Sequence, residues 1–353
     1  MAAPSSPSAR ASAGSRAAPV ITGLHHVGHV VRDIAAATAV YRRLGFALPP
    51  AAFPALPADD GGPPRALGAG NTRAVFARGF VELATVLGPG DTAGEGVHLH
   101  PLAVPPEARA RLTESAGRTT ERLRAALGRF EGLHILAFHT PDADAAAARL
   151  TAEGIGHSGV HRLRRPAASG EGGRPVEVGY LELDDAPGRT PEGRLAVAEA
   201  APTGTAEGAE RGEGAAGPAH PNGAVALVES VLCVPDGELH RYADRYAAYL
   251  GRTARGEGGV RAFDLGASRL VLATPAGLDS IVPGHRRGGA PPFFAAYGVE
   301  VGDLGAATAH LRRNAVPFRE ARGGAEVHVP AAFALGAAVV LRQEAASAGG
   351  GPV

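Results

Sequence analysis

Lysine is missing altogether, and every one of the 35 basic residues is an arginine. That removes Schiff-base catalysis, pyridoxal phosphate attachment and the lysine of a phosphate-binding loop, since each depends on a primary amine. Cysteine is reduced to Cys233, so neither a disulfide framework nor a thiolate zinc cluster can form within one chain. Its place in an apolar strand reads as that of a small core residue. No excess of either charge exists: 35 acidic residues balance the arginines exactly to a formal net charge of zero. Such a surface offers no electrostatic footprint for nucleic acid or an anionic membrane. Nowhere does the chain reach the ~20 consecutive apolar residues of a transmembrane helix. Residues 1–19 have no apolar h-region and read as a disordered tail, not a secretory signal. A cytoplasmic location is expected by default.

What is present is a repeated plan. An apolar strand from Val27 to Val31 runs into Asp33, a natural helix N-cap. Apolar residues then recur at Ile34, Ala37, Val40, Tyr41 and Leu44 with helical spacing, and Gly45 supplies a left-handed stop. The pattern returns around Ile135, Asp142 and Gly154, around Val225, Asp236 and Gly251, and around Phe294, Asp303 and Asn314. Each copy is followed by two or three short strands. The spacing predicts an α+β protein of four βαβββ modules paired into two domains, in keeping with ~150 residues per domain. The first domain spans 20–201, with modules at 20–87 and 132–200 and an arginine- and glutamate-rich surface helix at about 106–128 connecting them. A Gly, Ala and Glu segment at 202–219 reads as a flexible linker. The second domain spans 220–344, and 345–353 reads as a disordered tail.

Paired modules of this plan, opening with a His-containing strand, resemble the vicinal oxygen chelate superfamily, which includes glyoxalase I, extradiol dioxygenases and bleomycin resistance proteins. The strings GLHHVGHVVRDI, GNTRAVF, GFVELATVL and HPNGAVALVESVLCVPD resemble its glyoxalase-like two-domain members. The resemblance implies curved mixed sheets with flanking helices, and a metal in the cup between two modules, held by a first-strand His and a last-strand Glu from each. His26, seven residues before Asp33, and Glu82, on the face of Phe80 and Ala84, match the first pair. In the second module the corresponding first-strand residue is Ile135, which cannot ligate. His134 has the opposite parity, and His139, four residues on, lies about 13 Å along a strand rising ~3.3 Å per residue. Glu199 matches the remaining position, which leaves the fourth ligand missing or supplied by a register shift, His134 or water.

His26, Glu82 and Glu199 are thus the expected metal ligands, for Mn, Fe, Ni or Zn acting as Lewis acid on a small oxygen-chelating metabolite. Glu82 or Glu199 would serve as catalytic proton shuttle. Asn71, Arg73, His139 and His220 are the substrate-binding candidates, Arg73 as a fork for a carboxylate or phosphate. In the second domain the corresponding positions are Glu229 and Ala296, so a dioxygenase-type metal site is not expected there, and that domain is expected to pack against the first. His240, His310 and His328 read as surface or helix-face residues, and His98 with His100 lacks a third ligand. The alternative is a metal-free protein that binds or sequesters a small molecule in the cup, as resistance proteins of this superfamily do. The expected partner is a small molecule, bound by a monomer or homodimer, with no nucleic acid or membrane involved.

Overall fold

Asp33, Asp142 and Asp303 each hold an extended backbone and accept hydrogen bonds from helix N–H groups at Ala35 and Ala36, at Ala145 and at Ala306. Those donors would otherwise lack partners at a helix start, which is why the aspartates set the registers of three repeats. The third repeat lacks such a cap: its helix starts after Glu238, which makes no side-chain cap bond. The computed structural model describes residues 20–58, 62, 64–87, 97–102, 104–165, 176–184, 186, 188–200, 219–283, 285 and 289–344. The terminal tails and all but the last residue of the expected linker lie outside the described residues.

The first sheet runs over β1 (Gly23–Val30), β2 (Ala52–Leu56), β3 (Arg65–Ala66), β4 (Ala69–Val75), β5 (Phe80–Val86), β6 (His98–Pro101), β7 (Gly132–Thr140), β8 (His161–Arg165), β9 (Val176–Glu182) and β10 (Arg194–Glu199). Its order is β3-β2-β4-β5-β1-β7-β10-β9-β8, with β6 paired to β2. The first strands of the two modules, β1 and β7, are antiparallel at its centre, and each has its module's last strand, β5 or β10, beside it in parallel. Helices α1 (Ile34–Arg43), α2 (Pro106–Arg129) and α3 (Ala143–Ala152) complete this half.

The second sheet repeats the arrangement with β11 (Ala224–Cys233), β12 (Val260–Asp264), β13 (Arg269–Ala273), β14 (Phe293–Val301), β15 (Arg319–Ala321), β16 (Glu326–Val329) and β17 (Ala338–Gln343). Here β11 and β14 form the antiparallel centre, flanked in parallel by β13 and β17. Among the described residues the third module has two strands after its helix, and an isolated bridge between Arg255 and Ala262 stands where another would pair. Its helices are α4 (Leu239–Leu250), α5 (Pro275–Ile281) and α6 (Leu304–Arg313). The protein is α+β with two curved mixed sheets. Among the described residues no helix is long and apolar enough to cross a membrane.

One continuous core takes in the inner faces of α1, α3, α4 and α6 and one face of each sheet. The two halves therefore share their hydrophobic burial, which is the dominant favourable contribution to such an interface. Polar contacts are set into it. Tyr297 donates its hydroxyl to that of Tyr41 at 3.0 Å. The carboxylate of Glu192, fully buried in the loop before β10, accepts from Tyr246 at 2.8 Å and from Arg245 on α4.

The opposite, concave face of each sheet forms a cup, and in each cup a helix fills one end. The surface helix expected at 106–128 does more than connect: Leu123 and Leu127 of α2 are buried against Val30, Ala84 and Ile135. In the second cup Leu278 of α5, with Val282 just beyond it, packs against Val231, Val271 and Phe293. Helix α5 was not anticipated, although Thr274 followed by Pro275 is a legible start: the Thr274 hydroxyl accepts from the Gly277 N–H, and proline occupies a first-turn position that needs no donor.

His29 is fully buried at the junction of the halves, edge-on to both Tyr41 and Tyr297. Burial, reinforced by His134 and opposed by the Leu335 backbone, lowers its pKa from 6.5 to about 3. The unfolded chain binds this proton below about pH 6.5 while the folded chain refuses it until about pH 3, so stability present above that window is lost as pH falls through it. A His29→Met variant is expected to reduce the loss of stability between pH 6.5 and 5 by roughly 2 kcal/mol. Urea midpoints at the two pH values measure this; parallel curves for both proteins would contradict it.

Candidate functional site

Strand register identifies the equivalent positions in all four modules. Seven residues before each Asp stand His26, Ile135, Glu229 and Ala296. Their partners on the neighbouring parallel strands are Phe80, Arg194, Arg269 and Ala338. Two residues further along those strands, on the same face, come Glu82, Ala196, Val271 and Val340. The first cup thus receives His26 and Glu82 from one module and only Ile135 and Ala196 from the other.

A cavity of about 270 Å³ occupies the open end of this cup, bordered by His26, Asn71, Arg73 and Glu82 on one side and by Tyr180, Arg194 and Ala196 on the other. Glu82 accepts a hydrogen bond from Asn71 Nδ2 at 2.5 Å, and Arg73 stands directly across from Glu82 in the β4–β5 register. His26 lies flat on Phe80 with ring centroids 4.4 Å apart, and the Arg73 guanidinium is 5.7 Å from the same ring. Five of the seven expected residues therefore border one space: His26, Asn71, Arg73, Glu82 and Glu199.

Glu199 borders that space with its carboxylate committed elsewhere. It shares the face of Leu195 and Val197, whose side chains enter the core beneath the helices. Oε1 accepts from the Ala143 N–H at 2.8 Å, at the start of α3, and Oε2 from the Gly179 N–H at 2.7 Å. Gln343 holds the same register position in the fourth module, and its Oε1 accepts from the Leu304 N–H at the start of α6, at 2.9 Å. Glu199 is thereby a strand-to-helix tie, and the structure does not bring it together with His26 and Glu82 as a ligand set. Replacing Glu199 with Ala is expected to cost about 1–3 kcal/mol by orphaning the two backbone donors, read as a lower urea midpoint.

His139 and His220 also lie apart from the cavity. His139 bonds Thr22 Oγ1 at 2.8 Å, and burial lowers its pKa. His220 accepts from the Ala47 N–H at 3.0 Å and donates to the Val75 carbonyl at 2.8 Å, between Phe46 and Phe76. Burial lowers its pKa against the pull of the Val75 carbonyl, so it ties the turn before β11 to the first half as a neutral ring. His98 and His100 are both exposed on β6.

Two contributors escaped sequence reasoning. His25 borders the cavity because a register shift between Leu24 and His26 breaks the strand's alternation, and its Nδ1 lies 2.8 Å from that of His26. Glu182 takes Arg122 at 2.5 Å and Arg194 at 2.6 Å. Burial raises the Glu182 pKa, but the two guanidiniums outweigh it and leave the carboxyl below its usual range. Adjacent histidines were visible in the sequence; the bulge that turns both inward was not.

In the second cup the position equivalent to His26 is the buried Glu229, which accepts from Arg342 Nη2 at 2.6 Å and from Arg269. Arg342 Nε also donates to buried Glu326 at 2.5 Å, and His328 donates to the same carboxylate at 3.2 Å. His328, expected at the surface, is instead buried, because β16 turns this residue onto the covered side where Glu326 satisfies its ring.

A resident metal needs donors that converge and are unspent. Among the described residues no group of three His, Cys, Asp or Glu side chains stands close enough to hold one. The positions that would complete the first cup carry Ile135 and Ala196, and Glu199 is held by two N–H groups. This donor set does not fit the divalent ion that the resemblance implies.

Comparison with known proteins agrees with the fold. The sequence pattern of the glyoxalase-like domain matches residues 24–250, well over half of the chain. The chain belongs to the glyoxalase-like domain family. A triple variant of 4-hydroxymandelate synthase from Streptomyces coelicolor is similar to this glyoxalase-like protein with a TM-score of 0.54 at 14% identity, covering 95% of both chains. A hypothetical protein from Staphylococcus aureus gives 0.51 at 9% identity, with 91% of this chain and 99% of that one covered. A xylose isomerase-like TIM barrel/4-hydroxyphenylpyruvate dioxygenase fusion protein gives 0.50 at 13% identity, over 96% of this chain and 52% of the fusion. At these identities the likeness is one of fold, the two-domain vicinal oxygen chelate architecture, which hosts unrelated chemistries. No curated protein matches the sequence.

Proposed function

We propose that the first cup of this glyoxalase-like protein binds a small organic anion directly through its side chains, without a resident metal. The observation that carries this reading is the replacement of half a ligand set by Ile135 and Ala196 in register with His26 and Glu82. What the cavity keeps suits an oxygen-rich ligand. Arg73 offers a guanidinium fork, the Asn71 amide is oriented by its bond to Glu82, and Tyr180 and Arg194 face them across about 270 Å³. A metal-dependent enzyme with a Lewis-acid centre in this cup would require further donors from the second module.

The paired Nδ1 atoms of His25 and His26 support one extension of this reading. A hydrogen bond between two imidazoles requires one ring to donate and the other to accept, so the pair holds a proton at the cavity wall. Proton transfer to or from a bound anion is the chemistry such a pair offers.

Metal analysis and ligand titration test the proposal together. The purified protein and a His26→Ala variant are both expected to hold far less than one metal per chain after dialysis. Small carboxylates and phosphonates are expected to bind the parent protein, with an Arg73→Ala variant weaker by about tenfold to a hundredfold, the worth of a charged hydrogen bond. Stoichiometric metal that is lost with His26 would overturn the reading.

A further inference from the structure

The first cup holds a second space beyond Ile135. A second cavity, of about 350 Å³, lies between the inner side of α2 and the loop that joins β9 to β10. Ile135 and Arg194 line both cavities, so these two side chains are all that the two spaces have in common as a wall. They are register partners on adjacent strands, and Ile135 lies against Gly28, where a Cβ would come within 2.8 Å of it. The isoleucine thus occupies the middle of the cup as a waist between its two ends.

The second cavity differs in character from the first. Val30, Leu123, Ala126 and Ile135 give it an apolar lining. Charge stands around this lining, where the Glu182 carboxylate takes both Arg122 and Arg194, and Arg129 donates to the carbonyls of Pro191 at 2.6 Å and Pro292 at 2.8 Å. One carboxylate beside three guanidiniums leaves the surroundings cationic. Asp184 and Glu192, near the two ends of the outer wall, are held by the second half of the protein. Tyr249 donates to Asp184 at 2.6 Å, and Arg245 and Tyr246 both donate to Glu192. A wall fixed in this way is preformed, which limits the ordering a ligand must impose.

We propose that this second cavity is the tail subsite of the ligand bound in the cup, and that the ligand class is an organic anion carrying an aryl or short branched acyl group. The inference rests on the binding reading above and adds the apolar half of the molecule. Its anionic head lies with Arg73 and Asn71, its linker passes Ile135 and Arg194, and its tail leaves water beneath α2. The shared walls argue for one ligand across both spaces.

The test uses three probes on the full chain: acetate as a head alone, 3-phenylpropanoate as head and tail, and 3-phenylpropan-1-ol as a neutral tail. Dissociation constants come from NMR titration of the parent protein and two variants, Ala126→Phe, which fills the cavity, and Thr119→Trp, which covers it from an exposed helix position. In the parent, 3-phenylpropanoate is expected to bind at least about tenfold tighter than acetate, because an aryl group buries ample apolar surface to give that factor. The neutral alcohol is expected to bind more weakly than the acid. Both variants are expected to remove the advantage of the tail while leaving acetate unchanged. Acetate binding with no gain from the tail, or a gain that survives both variants, overturns the subsite and leaves the binding cup standing. No binding of either anion to the parent overturns both.

Discussion

An Ile135→His/Ala196→Glu double variant is expected to acquire a divalent metal site, binding zinc at least about a hundredfold tighter than the parent, a gain of roughly 3 kcal/mol. The prediction follows from register alone. Ile135 and Ala196 stand where His26 and Glu82 stand in the other module, and β1 and β7 meet as antiparallel neighbours at the centre of the sheet. Supplying the two missing donors completes two imidazoles and two carboxylates around one cup, a set that suits zinc in tetrahedral coordination. The introduced imidazole replaces a side chain that already lies over Gly28, so the substitution stays within the existing volume of the cup. The Glu82 carboxylate must surrender its bond from Asn71, and adding Asn71→Ala is expected to tighten the site further. Since imidazoles bind metal only when neutral, the gain is expected to fade below about pH 6. Competition with a chromophoric chelator measures the affinity. Equal zinc affinity for parent and double variant would show that the equivalent positions do not converge, and the argument against a resident metal would lose its basis.

Arg342→Met is expected to destabilise the protein by about 3–5 kcal/mol, the cost of removing one partner from buried ion pairs. Arg342 lies between Glu229 and Glu326, both buried in the second cup, and bonds each of them. Arg269 remains on Glu229, and Arg322 and His328 remain on Glu326, but the charge joining the two carboxylates is gone. Restoring neutrality with Glu229→Gln and Glu326→Gln in the same background is expected to recover most of the loss. The pH dependence should change with it. In the parent, burial raises the Glu326 pKa, but His328, Arg342 and Arg322 overcome this and hold it at about 2. A carboxyl lowered in this way gives stability that is present above about pH 4.5 and lost as pH falls toward 2. Without Arg342 that acid loss is expected to shrink. Thermal or urea unfolding at pH 7 and 3 reads both effects; an unchanged midpoint at pH 7 would mean that the guanidinium adds nothing to what Arg269, Arg322 and His328 supply.

The plan of the fold was legible because it is written locally and four times. Asp33, Asp142 and Asp303 cap helices through their own side chains, and Gly45, Gly154 and Gly251 end helices with positive φ, so each boundary depends on residues within a few positions. Alternation along β5 placed Glu82 on the cup face beside Phe80 for the same reason. The same alternation along β10 sets Glu199 with Leu195 and Val197 and makes Ala196 the residue equivalent to Glu82. His25 failed the rule itself, because a bulge depends on the pairing of β1 with β7, more than a hundred residues away.

The sequence by itself determined the four modules, the first strand, helix and last strand of each, and the presence of His26, Glu82, Asn71 and Arg73 on strands that face one cup, since periodicity and capping are properties of short segments. Only the tertiary structure decided what fills the cups. That α2 buries Leu123 and Leu127 in the first cup, that Glu199 serves the start of α3, and that Arg342 joins Glu229 to Glu326 all depend on side chains brought together from distant parts of the chain. Close packing and the pairing of buried charge are settled by such long-range neighbours, and no local pattern encodes them.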